Sequence, residues 1–329
     1  MSRKMEHSRV LVTGGAGFIG SNLVGELLCN GNEVICLDNF STGRRDNIAC
    51  YMGLKPFTLF EGDIRETVVC EKAMDGVEYV FHEAALGSVP RSISDPCTST
   101  DVNVTGFANI LMAAKKCGVK RVVYASSSSV YGDSANSPKV ERIIGRPISP
   151  YALTKRVNEE YAELFATVYG VESVGLRYFN VFGPRQTPYS TYAAVIPKFA
   201  LELMSHRSPV INGDGGIARD FTYISNVIQA NQLAAMSADP RVANTVFNVA
   251  CGFQTSVNEV FHALRAELAK FDQGISAIDA VHGPERKGDV PFSLADVSKA
   301  RELLGYCSLH DFRQGLALAS EWYWHNLKK

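Results

Sequence analysis

The sequence has no apolar run approaching the roughly 18 residues that a membrane-spanning helix needs. Its short polar start, residues 1–9, has no apolar centre of the kind a secretory leader carries. A cytoplasmic protein without a membrane partner is therefore expected. Excess charge is also missing: 33 Lys and Arg against 34 Asp and Glu leave a net charge of −1. No global field draws such a chain to nucleic acid, so an anionic ligand must be held by local groups. Paired cysteines are absent as well. The eight cysteines are scattered, none in a Cys-x-x-Cys pair, and several fall in apolar runs such as Val34-Ile35-Cys36-Leu37. Free buried thiols are expected, with no disulfide framework and no metal site. There is no internal repeat and no low-complexity segment.

What is present is alternation. Val10-Leu11-Val12-Thr13, Val34-Ile35-Cys36-Leu37, Phe57-Thr58-Leu59-Phe60, Tyr79-Val80-Phe81-His82 and Arg121-Val122-Val123-Tyr124-Ala125 read as short strands. Helical patterns separate them, at Ser21 to Cys29 and Val102 to Cys117 among others. Short apolar strands alternating with helices predict an α/β fold, a doubly wound (Rossmann) parallel sheet covered on both faces. Beyond about residue 180 the pattern loosens, with Pro184, Pro188, Pro197, Pro209 and a Gly213-Asp214-Gly215-Gly216 turn. Thr245-Val246-Phe247-Asn248-Val249 then looks like a strand returning to the sheet. The 329 residues thus divide into a nucleotide-binding domain, 1–180 with a return segment near 220–252, and a smaller α/β domain. The smaller one comprises 181–220 and 253–329, interleaved with the first and placed over the carboxyl edge of the sheet, where such folds bind ligands.

Two local patterns carry chemistry. Gly14-Gly15-Ala16-Gly17-Phe18-Ile19-Gly20 follows the first strand and opens a helix, and Asp38 ends the next strand. Gly14 permits the tight turn, Gly17 lets backbone approach a pyrophosphate, and Gly20 allows close helix–sheet packing. The helix amino end supplies N–H donors to phosphates. Asp38 suits the hydroxyls of an unphosphorylated ribose, which selects NAD over NADP. Asp63 follows a later strand end and is a candidate for the adenine amine. The second pattern is Tyr151-x-x-x-Lys155, one helical turn apart and on one face. A nearby ammonium favours tyrosinate, so Tyr151 is a candidate general base. A cluster of hydroxyls, Ser126-Ser127-Ser128-Ser129, lies just after a strand and can relay the proton.

Together with Ser-Ser-x-x-Val-Tyr-Gly and Leu176-Arg177-Tyr178-Phe179-Asn180, these motifs resemble the extended short-chain dehydrogenase/reductases. Over essentially its full length the chain is similar to the UDP-hexose 4-epimerases. Through Ala84-Ala85-Leu86-Gly87-Ser88-Val89-Pro90-Arg91-Ser92-Ile93 it is most similar to the bacterial UDP-N-acetylglucosamine 4-epimerase group. The resemblance implies a redox-neutral isomerase: hydride leaves sugar C4 for a tightly bound NAD and returns to the other face of a 4-keto sugar. It implies Ser127, Tyr151 and Lys155 as catalytic residues. It adds Phe18, Ile19, Asn39, Ile64, Ala84, Asn103 and Tyr178 to the cofactor contacts. Gly87, Ser88, Ser127, Ser128, Tyr151, Asn180, Ala194, Val195, Arg219, Arg286, Asp289 and Ser293 become substrate contacts. Arg219 and Arg286 would meet the UDP phosphates, and Asp289 the uridine ribose. Ser293 sits at a gate where a large Tyr in some relatives excludes N-acetyl groups. Sugar-nucleotide dehydratases place an Asp-Glu pair where this chain has Ser128 and Ser129, and decarboxylases a Glu at the Ser129 position. Gly87 replaces a basic residue of the galactose-type enzymes. The implied reaction interconverts UDP-N-acetylglucosamine and UDP-N-acetylgalactosamine. A 4-epimerase of UDP-N-acetylhexosaminuronic acid or UDP-glucuronate is the alternative. A homodimer through the helices bearing Tyr151 and residues 102–117 is also implied.

Overall fold

Val10 and Val12 are buried in one apolar cluster and Leu11 in another, so the first strand is apolar on both faces and needs cover on both. The same holds for its neighbours. The computed structural model describes residues 4–189, 193–285 and 292–327. Seven strands form one parallel sheet: β1 (Arg9–Thr13), β2 (Glu33–Asp38), β3 (Phe57–Glu61), β4 (Tyr79–His82), β5 (Arg121–Ser127), β6 (Ser173–Tyr178) and β7 (Thr245–Val249). Their order is β3-β2-β1-β4-β5-β6-β7. The chain thus moves outward from β1 to β3, then restarts on the other side of β1. That reversal opens a crevice beyond the carboxyl ends of β1 and β4, where Thr13 pairs with His82.

Helices Phe18–Cys29 and Ile224–Met236 cover one face, through Leu23, Val24, Leu27, Ala230 and Ala234. Thr67–Ala73, Gly106–Cys117 and Pro150–Tyr169 cover the other, through Cys70, Phe107, Ile110, Leu111, Ala162 and Phe165. The first helix begins at Phe18 rather than Ser21, because Gly17 is extended (φ −75°, ψ −179°) and caps it. The helical stretch expected from Val102 starts earlier, at Pro96, and passes through one π-helical turn, Asp101–Thr105, before Gly106.

The returning strand Thr245–Val249 pairs in parallel with β6. Other residues beyond β6 make only short pairings. Ala218–Arg219 lies between Thr255–Ser256 and Phe292–Ser293, and Thr222–Tyr223 pairs with Val181–Phe182. Helices Val195–Met204, Val257–Leu268 and Phe312–Asn326 pack on one another beside them. All eight cysteines are free, but only Cys36 and Cys70 are fully buried; Cys29, Cys50, Cys97 and Cys307 are exposed, which corrects the expectation of buried thiols. No helix among the described residues is long and apolar enough to cross a membrane.

Candidate active site

The glycine turn is shaped by close approach of backbone. Gly14 has φ +66°, and a methyl there would stand 2.7 Å from the Ala84 nitrogen; one on Gly20 would overlap the Gly14 carbonyl. Gly17 N donates to that same carbonyl at 3.0 Å. Side chains are thus excluded from the crevice floor. The cleft above is lined by Gly14, Gly17, Phe18, Ile19 and Gly20, by Asp38 and Asn39, by Asp63 and Ile64, and by Glu83, Ala84 and Gly87. Asp38 is buried and accepts from Ala16 N and Phe40 N, both at 2.8 Å. These donors hold the carboxylate at the cleft wall, and burial still raises its pKa. Two lone pairs remain for ribose hydroxyls. Arg45 turns away from the cleft onto Glu61, with both bonds at 2.8 Å, and Arg44 reaches Asp46. The Asp63 carboxylate already accepts from Asn39 and, three times, from Arg65, and these bonds hold it down at about 2. An adenine amine would have to share it. Asn103, on the π-helical turn, accepts from Leu86 N at 2.8 Å and donates to Thr154 at 3.1 Å. It ties the cleft wall to the Pro150–Tyr169 helix. These residues fit a dinucleotide: a bare glycine floor at a helix amino end, and a carboxylate where the ribose must lie.

The reacting groups are fixed at the carboxyl end of β5. Ser149 caps the Pro150–Tyr169 helix by accepting from Ala152 N at 3.1 Å, and Pro150 occupies its first turn. Tyr151 N, otherwise without a helical acceptor, donates to Ser92 Oγ at 3.0 Å. Lys155 is 2% exposed and donates to Ala125 O at 2.8 Å. Ser127 lies beside the Tyr151 phenol and accepts from Ser129 N at 3.1 Å, while Ser128 opens the short turn that follows. Behind them Glu159 binds Arg177 through two bonds, 2.8 and 2.7 Å, and accepts from Ser126 at 2.5 Å. This network locks the Tyr151 helix onto β5 and β6. Burial pushes the Lys155 ammonium down to about 8. Burial also raises the Tyr151 phenol, with Ser127 opposing. The expected depression of Tyr151 by the ammonium is therefore not realised in the protein alone. His82 bonds Thr13 at 2.8 Å and burial drives it down to about 3, so it stays a neutral imidazole.

Three of the remaining expected residues, Asn180, Arg219 and Ser293, gather around a group that sequence reading missed. Asp220 is wholly buried, and its carboxylate accepts from Cys251 N and Gly252 N at 3.0 Å and Ala295 N at 3.3 Å. Burial pushes it up to about 7 against these donors. Its backbone reaches two expected contacts: Asn180 Nδ2 donates to Asp220 O, and Asp220 N donates to Ser293 O. Arg219 is its neighbour and pairs in register with Ser293. Ala194 precedes the Val195–Met204 helix and lines a second cleft with Gly87, Ser88, Arg91 and Arg185. Ser88 caps a short helix through Arg91 N at 3.2 Å. Arg286 and Asp289 lie outside the described residues. Two further side chains went unread. Tyr178 Oη donates to Glu83 Oε1 at 2.7 Å and accepts from Asn231 Nδ2 at 2.8 Å. The signal for Glu83 was an acid directly after an apolar strand; Asn231 gave none. Among the described residues no group of three His, Cys, Asp or Glu gathers around a metal-sized site.

Comparison with known proteins adds to this geometry. Residues 10–250 match the model of the NAD dependent epimerase/dehydratase family. A putative UDP-glucose 4-epimerase of Methanocaldococcus jannaschii is 38% identical over 320 residues, covering 96% of this chain and 99% of that protein. Among solved structures, a UDP-N-acetylglucosamine 4-epimerase from Methanobrevibacter ruminantium, in complex with UDP-N-acetylmuramic acid, superposes with TM-score 0.90 at 38% identity. It covers 97% of this chain and 99% of its own. A Thermus thermophilus UDP-glucose 4-epimerase in complex with NAD gives TM-score 0.84 at 33% identity, covering 96% and 98%.

Proposed function

The chain belongs to the NAD-dependent epimerase/dehydratase family, and on that premise we propose that this UDP-sugar 4-epimerase interconverts UDP-N-acetylglucosamine and UDP-N-acetylgalactosamine. The observation that carries the reaction is the Ser127–Tyr151–Lys155 cluster at the carboxyl end of β5, with Lys155 buried and bonded to Ala125 O. The N-acetyl preference rests on small side chains: Ser293 stands opposite Arg219, and a Cβ on Gly87 would meet nothing within 4 Å. NAD when bound supplies the oxidant that takes hydrogen with its electron pair from sugar C4 and gives it back. Tyr151 accepts the C4 hydroxyl proton and later returns it; Ser127 holds the reacting oxygen. Since burial raises Tyr151, the tyrosinate needs nearby positive charge. The Lys155 ammonium one helical turn away does not suffice alone, and the cationic ring of the oxidised cofactor would add to it. Asn180, Arg219 and Arg286 would hold the diphosphate, Ala194 and Val195 the uracil side, and Asp289 the ribose. The anchored nucleotide leaves the keto sugar free to turn over.

We assign the sheet, residues 1–180 with the segment near 220–252, to the cofactor, and 181–220 with 253–329 to the nucleotide sugar. A homodimer through the Tyr151 helix suits the exposed Leu153, Leu164 and Val168 on it. One observation favours the uronic acid reading: Arg91 lines the second cleft and, among the described residues, its side chain has no partner. A panel of UDP-N-acetylglucosamine, UDP-glucose and their uronic acids, with separation of C4 epimers, decides between them. Fastest turnover of the N-acetylhexosamine is expected. Turnover of the uronic acids alone, lost in Arg91→Ala, would replace this assignment. Tyr151→Phe should cost about 10²–10⁴-fold in kcat with NAD still bound; near wild-type turnover would remove Tyr151 from its role.

A further inference from the structure

Glu83 is not needed for proton transfer, yet it is the acid in the cofactor cleft nearest the reacting groups. It directly follows β4, and Ala84, its neighbour, is the backbone that packs on Gly14. Its carboxyl accepts from Tyr178 on β6 at 2.7 Å, and Asn231 on the Ile224–Met236 helix donates to that Tyr178 oxygen at 2.8 Å and to Val227 O at 3.0 Å. From the Pro150–Tyr169 helix, Lys155 and Tyr151 both interact with it electrostatically. His82, beside it in sequence, stays neutral. A carboxyl group is thus fixed by one neutral donor, Tyr178, itself held by Asn231, between the glycine floor and the Tyr151–Lys155 pair.

We propose that Glu83 is the counter-charge of the oxidised cofactor, a carboxylate that favours NAD over NADH in the resident site and takes up a proton when the ring is reduced. This rests on the assignment of Tyr151 and Lys155 as the reacting pair, because the ring that accepts hydride must lie beside them. The ring is cationic when oxidised and neutral when reduced. Loss of that cation removes the main partner of a half-buried carboxylate that the bound ring would cover. The half-buried group is already poised: loss of water around it pushes Glu83 up to about 7, while Tyr178 and Lys155 pull the other way. On reduction, two electrons and one proton enter the ring as hydride from an external reductant. A second proton passes from solvent to Glu83, and re-oxidation releases it.

The test is a redox titration of the bound cofactor in the holoenzyme, against a reducing dye couple, followed by NADH absorbance across about pH 6–8. Each proton taken up with two electrons steepens the potential by about 30 mV per pH unit. In the wild type the slope should exceed that one-proton value within the window and approach twice it. Glu83→Gln should return it to about 30 mV per pH unit and favour the reduced form at about pH 8. Tyr178→Phe, which removes a donor to the carboxylate, should move the steep window to higher pH. A one-proton slope throughout the wild type would overturn the proposal without any variant; so would an unchanged steep slope in Glu83→Gln. No UDP-sugar enters the titration. A protein that shows the Glu83-dependent slope but epimerises no N-acetylhexosamine would refute the substrate assignment alone.

Discussion

The cofactor side and the substrate side of the cleft are built in opposite ways. On the cofactor side the motif residues are local in sequence: Ala16 N reaches Asp38 over 22 residues, and Tyr151 and Lys155 lie in one helical turn, with Glu83 the long-range exception. On the substrate side, Asp220 gathers backbone from residues 251, 252 and 295, and its own backbone meets Asn180 and Ser293. A locally encoded site is rigid because its own elements fold it. The gathered site is held by one buried carboxylate, so it can be perturbed from one position.

The largest effect is expected from Gly20→Ala. Its methyl would overlap the Gly14 carbonyl, so the purified protein should lose bound NAD and with it all epimerisation. Retention of NAD would show that the turn yields, and the cofactor side would no longer count as rigid. Next is Ser293→Tyr, on the substrate side. Turnover of UDP-N-acetylglucosamine should fall relative to UDP-glucose by about 10–200-fold, with NAD content unchanged. Equal loss of both would remove the gate. Asp220→Asn replaces one acceptor oxygen by an amide facing N–H donors. KM for the UDP-sugar should rise about tenfold with little change in kcat or NAD content. A loss of NAD instead would make Asp220 a general fold element and blur the two sides.

The smallest effect concerns stability. Glu83 shifts from a usual 4.5 up to about 7. Between those values the folded protein without cofactor keeps a proton that the unfolded chain has released. Stability therefore falls as pH rises through that window, and the cost is complete above about 7. Asp220 titrates in the same range, so the informative quantity is the difference between wild type and Glu83→Gln. The melting temperature of the cofactor-free variant should fall less between about pH 5 and 8. Identical pH profiles would place Glu83 outside the buried network.

The same contrast governs what the sequence made legible. Gly14, Gly17, Gly20, Asp38, Tyr151 and Lys155 were readable because spacing within one βα unit or one helical turn fixes their geometry. The first helix was read three residues late because Phe18-Ile19-Gly20 carries no capping side chain; an extended Gly17 starts it instead. Glu83, Asn231 and Asp220 were missed for one reason. Their partners lie far along the chain (95 residues from Glu83 to Tyr178, 53 from Tyr178 to Asn231), and only the tertiary fold brings them together. Family resemblance points to Asn180, Arg219 and Ser293, but the Asp220 carboxylate that assembles them stands in no motif of its own.

The central claim is a resident cofactor that lends and recovers one hydride at C4 of a UDP-N-acetylhexosamine. UDP-N-acetylglucosamine deuterated at C4, incubated with the purified protein and no added NAD, tests it directly. UDP-N-acetylgalactosamine that retains the deuterium at C4 is expected, with no NADH released. Epimer that has lost the label to solvent, or no epimer at all from this sugar, would contradict it.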